Sequence, residues 1–167
     1  MALIVEDGTI VAGANSFTTD AEFVAYAALR GFAIPATEAE RDTLQIRAVD
    51  YLSGKELKMK GQRVNKTQEL MYPREYVCIF NEELLKTDIP SQLKKAQLEL
   101  AVQAYSSDLL ITGTVQNLAS FNAVNGTYSE SYHSGGSWEQ VRTDRADVYL
   151  DPLLINNGSS NLMTRVL

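Results

Sequence analysis

The chain has 167 residues, 45% of them hydrophobic, and its 15 Lys and Arg against 21 Asp and Glu give a net charge of −6. That length fits one domain and can bury about 70% of its unfolded surface without disulfide staples. The negative balance is the wrong sign for affinity built on neutralising phosphates. No apolar run approaches the roughly 18 residues of a membrane span and the start has no secretion-signal pattern, which points to a soluble protein made inside the cell.

The first stretch of interest is GTIVAGANS, residues 8–16. Gly8 and Gly13 have the separation of the glycines in a phosphate-binding loop, but Ala14 stands where that loop has Lys, and the Ser16 hydroxyl arrives one place late. Without the cation a triphosphate cannot be neutralised. The stretch reads instead as a strand-like Leu3-Ile4-Val5, a turn at Asp7-Gly8 and a small-residue loop leading into a helix. Glu6 and Asp7 are two adjacent acids, too few for a cation site, and a turn explains Asp7.

Two capped helices follow. Thr19-Asp20-Ala21-Glu22 is a capping box, so a helix should run from about Asp20 to Arg30, with Phe23, Tyr26, Ala27 and Arg30 on one face and Gly31 as its stop. Thr37-Glu38-Ala39-Glu40 repeats the signal, and Leu44, Ala48, Tyr51 and Leu52 form a buried stripe of a second helix reaching Gly54. Residues 54–66 then carry five basic side chains (Lys55, Lys58, Lys60, Arg63 and Lys66) and one Glu56, a local charge of +4 that leaves −10 on the remainder. This segment reads as a solvated loop, or as a contact for nucleic acid or an acidic protein surface.

LMYPREYVCIF, residues 70–80, contains Pro73 and so reads as an extended arm, with Tyr72 as its aromatic anchor on the helices. Cys78 lies between Val77 and Ile79, as a buried free thiol would. Asp88-Ile89-Pro90-Ser91 opens a third helix that should reach about Leu110, with Leu93, Ala96, Leu100, Ala101, Ala104 and Tyr105 on one face. Its small residues allow close approach, which places it at the centre of a bundle.

Asn125-Gly126 between alternating runs predicts a β-hairpin, with Tyr128 and Tyr132 on one side and Glu130 between them. Neither strand has a continuous apolar face, so the hairpin should project toward a partner. From Ser137 a last helix is expected, with Trp138, Val141, Arg145, Val148 and Tyr149 near helical spacing, ended by Asp151-Pro152. The polar link Asn156 to Ser160 leads to an apolar tip with Leu162, Met163, Arg165 and Leu167, which would gain from docking on a neighbour.

The fold class expected is mainly α: a small bundle of about four helices with a projecting β-hairpin and extended N- and C-terminal segments. It forms one domain over 1–167, divided into a helical bundle (1–110), a hairpin insertion (111–137), a C-terminal helix (138–155) and a tail (156–167). Chemistry is sparse. His133 is the single histidine, which rules out a paired-histidine metal site or a histidine relay, and Glu82-Glu83 diverge in direction, so no catalytic residue, metal or cofactor is expected and the chain is read as no enzyme.

In order and spacing, IVEDGTIVAGANSF, AEFVAYAALRG, IRAVDYL, LMYPR and IPSQLKKAQLELA resemble the head-to-tail adaptor (connector, head-completion) proteins of tailed bacteriophages, and within them the family labelled putative DnaT-like single-stranded-DNA-binding protein. The resemblance covers roughly the first two thirds of the chain, and Tyr72 stands where the family usually has Trp before Pro-Arg. It implies a structural protein of the virion neck, made in the bacterial cytoplasm, that forms a ring of about twelve copies between the portal and a downstream neck or tail protein. Double-stranded DNA would pass through a lumen whose negative charge prevents sticking. Lys58, Lys60, Arg63, Tyr128, Tyr132, Leu162, Met163, Arg165 and Leu167 are the partner-binding candidates. The alternative is a single-stranded-DNA-binding module that uses Lys55 to Lys66 for phosphates and Tyr51, Met59 and Tyr72 for base stacking. A phosphate-binding enzyme is a third class and has only the imperfect glycine loop behind it.

Overall fold

The computed structural model describes residues 2–109, 118–124, 127–132 and 144–155. Its architecture is mainly helical, as expected, and the chain separates into two compact units, one of residues 1–109 with 143–167 and one of 110–142. In the first unit, helix α1 (Asp20–Arg30) has the predicted capping box: the Glu22 amide donates to the Thr19 hydroxyl and the Thr19 amide donates back to the Glu22 carboxylate at 2.7 Å. Gly31 ends it in the left-handed conformation. Helix α2 (Glu38–Ser53) starts without its expected box, because the Thr37 hydroxyl bonds the Glu40 side chain instead of a backbone amide.

Helix α3 (Ser91–Ser106) is the hub, packed against α2 and against α4 (Asp144–Leu150), with a lighter contact to α1. Leu93, Ala96, Leu100 and Ala101 are fully buried along it. It stops short of the expected Leu110, since the hydroxyls of Ser106 and Ser107 and the Ser107 amide all converge on the Gln103 carbonyl and Ser107 turns extended. Tyr105, expected on the buried face, is 52% exposed. In α4 the buried residues are Ala146 and Leu150, while Val148 points outward and Tyr149 is half-buried. The expected start of that helix at Ser137 lies outside the described residues, and Asp151-Pro152 ends it in a single tight turn, Asp151–Leu153.

The N-terminal loop answers the question its glycines raise. The carboxylate of buried Glu6 accepts hydrogen bonds from the amides of Gly8 (2.8 Å), Ile10 (3.0 Å) and Val11 (2.9 Å), so the cradle is filled by the chain's own anion. Asp7 is the turn residue expected, accepting from the amide and hydroxyl of Thr9. The loop is tied to the bundle through buried amides. The Phe17 amide donates to the Gln97 side chain, whose own amide donates to the Ser16 hydroxyl, and the Thr18 hydroxyl donates to Gln45 on α2.

Residues 56–86 are folded onto the bundle, not extended from it. Two short antiparallel pairs form, β1 (Gln62–Arg63) with β2 (Arg74–Glu75), and β3 (Cys78–Ile79) with β4 (Glu82–Glu83). Leu70, Met71, Tyr72 and Pro73 are buried, so Tyr72 is the anchor expected although the arm is not an arm. At the centre lies the buried guanidinium of Arg74. It donates to the carbonyls of Lys60 (2.8 Å), Gly61 (2.7 Å) and Met71 (3.3 Å) and faces the Glu56 carboxylate at 3.4 Å. Arg63 grips the same carboxylate with two bonds of 2.6 and 2.7 Å. The chain after α4 closes this region from the other side: the Lys60 amide donates to the Leu153 carbonyl and the Ile155 amide to the Lys58 carbonyl.

The second unit contains the antiparallel pair β5 (Leu118–Val124) and β6 (Thr127–Tyr132), with Val124 opposite Thr127 and a bulge between Leu118 and Ser120. The turn expected at Asn125-Gly126 lies outside the described residues.

Three stability predictions follow from this packing. Burial pushes the Tyr72 phenol up to about 12, and its hydroxyl has no hydrogen-bond partner among the described residues. Tyr72→Phe is therefore expected to match or exceed the parent in melting temperature, whereas Tyr72→Ala loses about 3 kcal/mol in urea titrations. Arg74→Met leaves Glu56 short of a partner and three carbonyls without their donor, and is expected to cost about 3 kcal/mol by the same measurement. Hydrogen bonds from Arg63 and the charges of Arg63 and Arg74 hold the Glu56 carboxyl below its usual 4.5, against the opposing effect of burial. Its depressed folded value means that this contribution is complete above 4.5 and is lost as pH falls through the lower folded value. Glu56→Gln should flatten that acid limb of the stability profile.

Candidate nucleic-acid interface

Along Tyr76-Val77-Cys78-Ile79-Phe80 burial alternates: Val77 and Ile79 turn inward, and Tyr76, Cys78 and Phe80 face out. Cys78 is thus exposed, against the expectation of a buried thiol, because the segment follows the two-residue period of a strand and not a continuous apolar run. Tyr76 is 69% and Phe80 78% exposed. Ile79 pairs with Glu82, so Phe80-Asn81 is a two-residue hairpin turn, and both residues have positive φ, 53° and 66°. Such a mirror-image turn suits Asn or Gly and strains a ring-bearing residue. Tyr76 is also left-handed, at φ 60°. Two large rings are therefore held in water on strained backbone, an arrangement that costs roughly 1–3 kcal/mol per residue and is concentrated at functional sites.

The basic segment runs beside this hairpin. Lys55 pairs with Asp147 at 2.7 Å, Arg63 with Glu56, and the Lys60 ammonium donates to the carbonyls of Pro152 (2.9 Å) and Cys78 (3.3 Å). Lys58 and Lys66 are exposed and make no ion pair among the described residues. Lys86 is exposed at the foot of the hairpin. Of the residues named from sequence for base stacking, Met59 and Tyr72 are buried in the core, and Tyr51 is half-buried with the Lys55 ammonium 5.1 Å from its ring centre. Burial closes off stacking at Met59 and Tyr72. In sequence YVCIF shows no polar and apolar alternation, so nothing there marked Tyr76 and Phe80 as the exposed pair.

A groove of about 440 Å³ opens next to Tyr76, lined further by Glu75, Glu83, Leu84, Leu85 and Lys86. The Leu84 amide donates to the Val77 carbonyl at 2.9 Å, which fixes one wall to the hairpin. Gly8, at φ 104°, lies so close to the carbonyl of Thr87, the residue after Lys86, that any Cβ would collide with it, so the Glu6-filled loop packs against the chain just past the groove lining.

Tyr128 and Tyr132 occupy alternate positions of β6, opposite Ala123 and Leu118. Leu162, Met163, Arg165, Leu167 and His133 lie outside the described residues. Among the described residues no three His, Cys, Asp or Glu come together as metal ligands, and no helix is long and apolar enough to cross a membrane.

No curated protein and no solved structure matches the chain. The model of the family described as "Putative DnaT-like ssDNA binding protein" matches it over residues 1–167. That match overturns the expected head-to-tail adaptor of a virion neck and favours the alternative, a single-stranded-DNA-binding module. A net −6 does not exclude such a module, because it sums the whole molecule, whereas phosphates respond to charges within a Debye length of about 8–10 Å and base stacking needs rings that carry no charge. The chain belongs to the family of putative DnaT-like ssDNA binding proteins.

Proposed function

We propose that the chain binds single-stranded DNA along the surface formed by residues 58–86. The observation that carries this reading is the pair of exposed rings, Tyr76 and Phe80, held on left-handed backbone, with Lys86 lining the same groove as Tyr76. Unpaired bases present flat faces that stack on such rings, whereas in a duplex those faces are already stacked on one another. Lys58, Lys66 and Lys86 supply the phosphate contacts, few enough that stacking and not charge dominates affinity.

The test is fluorescence anisotropy of a labelled oligothymidylate across a salt series. Phe80→Ala and Tyr76→Ala are each expected to lose about 1–3 kcal/mol of binding, roughly 5- to 150-fold in Kd, with unchanged far-ultraviolet circular dichroism. With about three phosphate contacts the slope of log K against log salt should lie near −2, shallower by about 0.7 in Lys58→Ser or Lys66→Ser. A parent protein that fails to bind the oligomer at low salt, or ring variants that bind as the parent does, would refute the reading.

A further inference from the structure

We infer that the groove beside Tyr76 takes one unpaired nucleobase and that its two carboxylates, Glu75 and Glu83, select cytosine over thymine. The inference rests on the single-stranded-DNA reading and concerns what that surface distinguishes. The groove's volume of about 440 Å³ is small-molecule sized and accommodates a nucleoside. Exposed Tyr76 lines it, and Leu84 and Leu85 give the aliphatic surface that a base edge-on to water would cover. Carboxylates at such a place repel a phosphate, so the DNA backbone must follow the Lys86 side while the base enters.

The chemistry of the acceptors then sets the preference. An ionised carboxylate only accepts hydrogen bonds. Cytosine offers it an exocyclic amino donor, whereas thymine presents a carbonyl at the same position and meets the carboxylate with like partial charge. Glu75 is already oriented, since its Oε1 accepts from the Gln62 amide at 2.7 Å, which leaves Oε2 for the ligand. Glu83 is exposed and makes no ion pair among the described residues. Cytosine and thymine have rings of the same size, so a difference between them reports the edge contact and not stacking area.

The experiment compares anisotropy titrations of labelled oligodeoxycytidylate, oligothymidylate and oligodeoxyuridylate of one length with the intact protein. The cytidylate is expected to bind about tenfold tighter than both others, the worth of one charge-assisted hydrogen bond, and the uridylate to behave as the thymidylate, which excludes the methyl group as the cause. Glu83→Gln, whose amide can donate as well as accept, should bring the three within about threefold. Equal affinities for all three oligomers in the parent protein overturn the base preference and leave the single-strand reading standing. A tenfold preference that survives both Glu83→Gln and Glu75→Gln also overturns it, because the selecting group is then elsewhere. Binding of none of the oligomers overturns this inference together with the reading beneath it.

Discussion

The buried guanidinium of Arg74 is the constraint on which the proposed binding surface depends. Residues 56–86 contain strands of two residues each, far too short to hold themselves, and no helix beyond one turn at Glu56–Lys58. What fixes them is a fork of donors that reaches the carbonyls of Lys60, Gly61 and Met71 from one point, balanced by a Glu56 carboxylate that Arg63 shares. Gln68 extends the lattice, donating to the carbonyls of Leu70 and Pro73 and accepting from the Asn65 amide. Several carbonyls left over by irregular backbone thus find partners in side chains, which is how a segment of little regular structure stays ordered.

This arrangement also shows why the basic segment is weaker in charge than it reads. Arg63 and Lys55 are committed to Glu56 and Asp147, and the Lys60 ammonium is spent on carbonyls. The cations hold the loop in place, and the rings at Tyr76 and Phe80 are presented by what they hold. On the proposed reading, an acidic protein that binds a polyanion is less paradoxical: the contact surface would be aromatic, with a few lysines, and negative charge elsewhere would limit non-specific adhesion to duplex DNA.

The helices were legible in the sequence because their signals are local. Thr19 with Glu22, the stop at Gly31 and the apolar spacing along α3 are each decided within a few residues, and the structure follows them to within a residue for α1. The departures arose where a side chain or segment took another partner. Thr37 met the Glu40 carboxylate in place of a backbone amide, and the stretch around Tyr72, anchored by that ring as expected, folded into short strand pairs instead of an extended arm. The site itself was hidden for a similar reason. YVCIF looks uniformly apolar, and only its pairing with Glu82–Glu83 discloses that Tyr76, Cys78 and Phe80 turn outward. Glu6 gave no hint either: nothing in its residue type told that its carboxylate would accept from the amides of Gly8, Ile10 and Val11 and fill the loop.

The central claim is that one surface, residues 58–86, receives unpaired DNA. It is tested most directly by nuclear magnetic resonance of the isotope-labelled chain titrated with an oligonucleotide, read amide by amide. The account predicts that shifts concentrate at Lys58, Lys66, Tyr76 to Asn81 and Leu84 to Lys86, with α1 and the outer face of α2 unchanged. Shifts confined to the helices, or to β5 and β6, with the amides of 76–86 unmoved at saturation, would contradict it.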